Sequence, residues 1–160
     1  MEATKTVLSP EARREAESLM KKYPDPGAAL LPILHIAQRE FGHISTDVEE
    51  YVAALTGLST TRVHGVVSFY TMYRKAPGGK YLLQLCTNVS CTLAGAEDLL
   101  GHLIRRLGVS PGETTPDGKF TLLTVECLGA CGSAPAMQIN DDYHEELTAE
   151  KIDRLLDSLV

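Results

Sequence analysis

The chain has 160 residues, 44% of them hydrophobic and 22% charged, with a formal charge of −6. These values describe a globular chain of one domain or two small ones, long enough to bury its own core, and exclude a mainly disordered one. The acidic balance argues against nucleic-acid binding, and no apolar run approaches the roughly 18 residues of a membrane span, so no direct membrane insertion is expected.

The N-terminus, Met1 to Thr6, has no apolar signal core, and Glu2 and Glu11 speak against a transit peptide, so a cytoplasmic location is expected. Charge is placed unevenly. Residues 1–80 hold ten Lys/Arg and nine Asp/Glu, whereas residues 81–160 hold five and twelve. That contrast predicts a boundary.

Ser9-Pro10 opens a first helix, Ser9 as cap and Pro10 where no amide donor is needed. Ala12, Ala16, Leu19, Met20 and Tyr23 follow helical spacing. After Pro24-Asp25-Pro26-Gly27, a second helix carries Leu30, Ile33, Leu34, Ala37 and Phe41, with Pro32 in its first turn and Gly42 as its stop. Thr46 with Glu49 predicts a capping box for a third helix burying Val48, Tyr51, Val52 and Leu55. Ser59 caps a fourth, with Val63, Val66, Val67 and Tyr70. Four short helices make a small bundle.

Ala76-Pro77-Gly78-Gly79 marks the boundary, giving a helical region over 1–76 and a second domain over 77–160. Tyr81 to Leu85 reads as a strand. Leu93, Ala96, Leu100, Leu103 and Leu107 predict one helix; Phe120 to Val125, Ala136 to Ile139, and Tyr143 to Leu147 predict three more strands; and Thr148 caps a last helix with Ile152, Leu155, Leu156 and Leu159. A helical crossover makes the first two strands parallel, and a short turn makes the last two an antiparallel hairpin. The expected class is α+β, a helical bundle followed by a thioredoxin-like α/β domain with a four-stranded mixed sheet.

The chain has four cysteines, Cys86, Cys91, Cys127 and Cys131, all in the acidic half. A reducing compartment disfavours disulfides. Cys86 ends the first strand and Cys127 the second, so parallel neighbours bring both pairs to one edge of the sheet. Zinc knuckles usually use tighter spacing, whereas a 2Fe–2S cluster takes two thiolates on each iron. The C-x4-C and C-x3-C spacing favours the cluster and leaves zinc open. Leu128 to Ala134 is a loop of small residues that lets backbone amides approach an anionic centre. No Lys or Arg occurs from Cys86 to Ile104 or from Glu126 to Glu150, and Glu126 abuts Cys127. A low reduction potential is expected.

These segments closely resemble a known family. C-T-N-V-S-C at Cys86 to Cys91, V-E-C-L-G-A-C-G-S-A-P from Val125, and G-V-V-S-F-Y-T-M-Y from Gly65 are similar to the small 2Fe–2S subunits of respiratory NADH:quinone oxidoreductase (complex I). Leu107 to Phe120 and the F-G-H-I at Phe41 also fit, and the likeness runs from about Tyr23 to Leu159. The resemblance implies that Cys86, Cys91, Cys127 and Cys131 ligate one 2Fe–2S cluster. It implies docking on a larger subunit that holds FMN and NADH, one-electron transfer from that flavin, and a place peripheral to the inner membrane through the complex. Related subunits occur in NAD-linked hydrogenases and formate dehydrogenases.

The sequence has neither G-x-G-x-x-G nor a Walker A motif, and no Ser/His/Asp set stands out, so no catalytic residue is assigned to this chain itself. The five histidines read as surface or helix residues, with His64 and Tyr70 as candidates to face the partner. Phe69, Tyr70 and Tyr73 read either as packing or as a docking surface. A free ferredoxin would have no need of the helical region, a zinc-stabilised interaction module is the reading from a different class, and a thiol–disulfide enzyme would want C-x-x-C.

Overall fold

The computed structural model describes residues 6–159, so Met1 to Lys5, which carry most of the leader expectation, lie outside the described residues. The chain divides into two compact units, Met1–Pro77 and Gly78–Val160.

The first unit is helical, and local capping explains most of its boundaries. Helix α1 (Pro10–Met20) starts at Ser9, whose hydroxyl accepts the Ala12 N–H. Tyr23 lies beyond its end, in a turn that leads to a short 3-10 segment at Pro26–Ala29. Helix α2 (Leu30–Phe41) stops at Gly42, whose φ of 78° suits glycine. Helix α3 (Thr46–Thr56) is capped by Ser45, which accepts the Val48 N–H, and not by the expected Thr46–Glu49 box. Glu49 is buried instead and turns its carboxylate to His64. Helix α4 (Thr60–Phe69) is capped by Ser59, and Tyr70 falls just past its end in extended backbone.

Ala16, Ile33, Leu34, Ala37, Val52 and Val63 are fully buried where these helices meet. Tyr73 joins that core at 3% exposure; its hydroxyl donates to the Leu31 carbonyl at 2.9 Å and its ring tilts against His35. Of the aromatic stretch, therefore, Tyr73 packs while Phe69 is 77% exposed.

The second unit is built on a mixed sheet of β1 (Tyr81–Cys86), β2 (Phe120–Val125), β3 (Met137–Ile139) and β4 (Asp142–His144), in the order β2-β1-β3-β4. β1 and β2 are parallel, and β1–β3 and β3–β4 are antiparallel. This is the expected thioredoxin-like sheet. β4 is shorter than expected, because the Glu146 and Leu147 N–H groups leave the sheet to bond the carbonyls of Ser133 and Pro135. Asn140 makes the β3–β4 turn at a φ of 53°, accepts the Leu82 N–H and donates to the Lys80 carbonyl, stapling the turn to β1.

The single helix expected after β1 is two: α5 (Val89–Leu93) and α6 (Ala96–Leu107), broken at Gly95 with a φ of 94°. Apolar spacing runs through the break, which hides it in the sequence. α6 and α7 (Ala149–Ser158) send Leu99, Leu103, Ile152 and Leu156 into the core with Leu83, Leu85, Leu122 and Met137. The two helices are tied by Arg106 to Asp157 and by His102 to Asp153.

Candidate metal centre

The parallel ladder sets the geometry of the site. Cys86, the last residue of β1, pairs with Val125, the last of β2. Its own N–H bonds the Ala136 carbonyl and the next N–H, of Thr87, bonds the Val125 carbonyl. The strand end is thus held on both sides. Cys127 follows two residues beyond the ladder, and Cys131 lies in the short helical turn Cys131–Ser133. Cys91 sits inside α5, which Asn88 caps by accepting the Val89 N–H.

Cys86 and Cys127 therefore lie at one end of the sheet, with Cys91 in α5 and Cys131 in the turn that follows Cys127. Cys86 and Cys91 are buried, whereas Cys127 and Cys131 are exposed, and all four are free thiols. Cys86 Sγ lies 4.0 Å from the Glu126 carbonyl oxygen, and the Cys91 and Cys127 thiols both draw the Cys86 pKa down. Among the described residues, no three His, Cys, Asp or Glu side chains close on a single point as around one ion.

Backbone amides face the sulfurs. Burial pushes the Cys86 thiol up, but the N–H groups of Asn88 and Leu128 and the thiols of Cys91 and Cys127 outweigh it and hold it below the ordinary cysteine value. Cys91 moves the other way: burial and the neighbouring Cys86 thiol raise it against the Ala136 N–H. The Gly129 N–H donates to Cys127 Sγ at 3.3 Å, in a turn where Gly129 adopts a φ of 75°. The Ala134–Pro135 peptide just beyond is cis.

Four thiols, three of them (Cys86, Cys91 and Cys127) with backbone N–H groups beside them, offer a soft donor set. The donors answer the charge such a set carries when its thiols are deprotonated. Asn88, Leu128, Gly129 and Ala136 do not stand out one by one in the sequence, because their contribution is a backbone N–H and carries no side-chain signal. The glycines and alanines of the 128–134 loop are the only hint.

The helical unit holds a second polar cluster that the sequence does not reveal. Glu49 of α3 bonds His64 Nδ1 at 3.0 Å, and Ser68 lies 3.3 Å from His64 Nε2. His64 and Ser68 are one turn apart, but Glu49 comes from a different helix. The cluster joins α3 to α4.

Comparison with known proteins matches this architecture. A model of the family described as "Thioredoxin-like [2Fe-2S] ferredoxin" matches residues 16–160. The chain is 51% identical over 146 residues to an NADH-quinone oxidoreductase subunit of Rhizobium meliloti (strain 1021), covering 91% of this chain and 87% of that one. It is 47% identical over 146 residues to an NADH-quinone oxidoreductase subunit of Thermus thermophilus, covering 89% and 81%. Among solved structures, an NAD+-reducing [NiFe]-hydrogenase in the air-oxidized state superposes with a TM-score of 0.72 at 25% identity over 81% of this chain. The match spans only 22% of the hydrogenase chain.

Proposed function

This chain belongs to the thioredoxin-like [2Fe-2S] ferredoxin family, and on that premise we propose that Cys86, Cys91, Cys127 and Cys131 hold one 2Fe–2S cluster, making the chain the electron-transfer subunit of an NADH:quinone oxidoreductase. The observation that supports this reading is Cys86 and Cys127 at the end of the β1–β2 ladder, with backbone N–H groups acting on the Cys86, Cys91 and Cys127 sulfurs. The relatives named as subunits of that oxidoreductase, at 51% and 47% identity, support the choice of complex.

A 2Fe–2S cluster, when bound, supplies a one-electron carrier. The chain's own part is to hold and tune it. Cys86 and Cys91 anchor from the buried side, and Cys127 and Cys131 close the site from the solvent side. The amides of Asn88, Leu128, Gly129 and Ala136 stabilise negative charge on the sulfurs, and the lack of Lys or Arg in both cysteine segments leaves added charge uncompensated.

FMN and NADH belong in this reading to a larger partner subunit, from whose flavin this chain takes one electron. No helix among the described residues is long and apolar enough to cross a membrane; attachment at the cytoplasmic face of the inner membrane runs through the complex. An equivalent role in an NAD-linked hydrogenase is the second reading, favoured by the structural likeness at 25% identity. It stands second because the quinone-linked relatives are about twice as similar in sequence.

The test is to co-purify the chain with its flavin-carrying subunit, add NADH, and follow the chain's own visible and paramagnetic resonance signals. Reduction dependent on the flavin subunit supports the reading. A chain that binds no flavin subunit, or whose signal NADH leaves unchanged in the complex, contradicts it. Co-purification with hydrogenase subunits selects the second reading.

A further inference from the structure

Two hydroxyls hold the loop between Cys86 and Cys91. Thr87 follows Cys86 at the end of β1, and both its N–H and its Oγ1 donate to the Val125 carbonyl, at 3.0 and 3.3 Å. Thr92, half-buried in α5 beside Cys91, donates its Oγ1 to the Thr87 carbonyl at 3.0 Å.

The second of these bonds is not the one a helix makes for itself. A helical threonine ordinarily turns its hydroxyl to a carbonyl three or four residues back. Thr56 of α3 does so, bonding the Val52 carbonyl at 2.7 Å and the Ala53 carbonyl at 3.4 Å. Thr92 reaches past the Asn88 cap and out of the helix instead. The Asn88 carbonyl is already taken by the Thr92 N–H at 2.8 Å, so the ladder of α5 begins one residue after Thr87.

The direction of the bond matters at the site. The Thr87 carbonyl and the Asn88 N–H belong to one planar peptide group. The Asn88 N–H faces the Cys86 sulfur, so the Thr92 hydroxyl grips the far end of the unit that donates to that sulfur. A hydrogen bond on the carbonyl fixes the rotation of the peptide plane and polarises it, which strengthens the N–H as a donor. Donors to the sulfurs stabilise the more negative, reduced state of a thiolate-held centre more than the oxidised one, and so raise its potential.

Resting on the function proposed above, we propose that Thr92 is a positioning residue for electron transfer. Its hydroxyl holds the Thr87–Asn88 peptide with the N–H toward Cys86, and thereby keeps the reduction potential above the value that the cysteines and the surrounding carboxylates would set alone. Thr87 carries this constraint between strand and helix, tied to the end of β2 on one side and to Thr92 on the other.

The experiment uses the full chain purified with its cluster. Iron and sulfide are counted, and the potential is measured by titration followed by paramagnetic resonance, in wild type, Thr92→Val and Thr92→Ser. Valine keeps the branched shape and removes the hydroxyl; serine keeps the hydroxyl. Thr92→Val holds the wild-type complement of iron and its potential shifts downward, while Thr92→Ser titrates with wild type. A Thr92→Val that loses the cluster while Thr92→Ser keeps it at the wild-type potential also supports the assignment, because the hydroxyl alone then restores the site. A fully loaded Thr92→Val with a wild-type or raised potential overturns it, even where its melting falls, since Thr92 is then a structural contact only. A Thr92→Ser that departs from wild type as far as Thr92→Val does overturns it as well. A wild-type chain that carries zinc, or no iron, overturns the proposed function before any variant is compared, and the positioning role with it.

Discussion

Cys86 stands opposite Val125 at the end of the parallel β1–β2 ladder, so Cys127 lies two residues past the point where the strands part. That register brings together two cysteine pairs separated by 35 residues of sequence. It also means that a centre held by all four thiols ties two segments, α5 and the loop after β2, to one strand end.

Loss of Cys127 should therefore loosen the second unit. Cys127→Ala removes an exposed thiol whose own packing contributes little, so its effect reads the proposed centre and not the core. The expected result is loss of visible absorption and a fall of about 10 °C or more in the melting of the Gly78–Val160 unit, given roughly 4–8 °C per kcal/mol for a domain of this size. The helical unit should keep its helicity by circular dichroism. Unchanged melting and an unchanged spectrum would rule out a ligand role for Cys127.

Glu126 is exposed and adjacent to Cys127, in a segment without cations from Glu126 to Glu150. Glu126→Lys replaces a repelling charge with an attracting one, so the reduction potential should rise by something on the order of tens of millivolts, less at high salt. Potentiometric titration of both proteins measures it. A downward shift with fold and cluster intact would contradict the electrostatic account.

Much of this was legible in the sequence where the governing interaction is local. Ser9, Ser59 and Thr148 cap the helices they were expected to cap, and strand order put Cys86 and Cys127 at the same end of the sheet. The misses come from contacts distant in sequence. Glu49 fits a capping box by spacing, yet His64, fifteen residues away, takes its carboxylate and Ser45 takes the cap. The expected fourth strand ends early because carbonyls of the cysteine loop claim the Glu146 and Leu147 amides.

Gly79 shows how tightly β1 is set against β2. A Cβ there would lie 2.7 Å from the Phe120 carbonyl carbon and 2.9 Å from the Lys119 oxygen, both backbone atoms. The Gly79 N–H also donates to Thr121 Oγ1 at 2.7 Å. Gly79→Ala should destabilise the second unit by about 1–3 kcal/mol, since backbone cannot move aside as a side chain can. Chemical denaturation of the two proteins decides it; equal midpoints would show that the approach relaxes freely.

Tyr73 gives the helical unit an alkaline limit. Burial of its hydroxyl, with Tyr70 nearby, pushes its pKa up to about 12 from an ordinary 10. The folded state holds the phenol proton more tightly than the unfolded chain does. Stability is therefore unaffected by this group below about pH 10 and declines as pH rises towards about 12. Tyr73→Phe should remove that part of the decline while costing about 1 kcal/mol at neutral pH for the lost bond to Leu31. Urea melts from about pH 8 to about pH 11.5 would show it, and an identical alkaline slope in both proteins would refute the assignment.

The central claim is the nature of the centre, and iron and zinc analysis combined with paramagnetic resonance of the reduced protein tests it most directly. The account predicts two irons and two acid-labile sulfides per chain, with a reduced-state signal at a clearly negative potential, roughly −400 mV as in plant-type ferredoxins. One zinc per chain, with no signal on reduction, would contradict it.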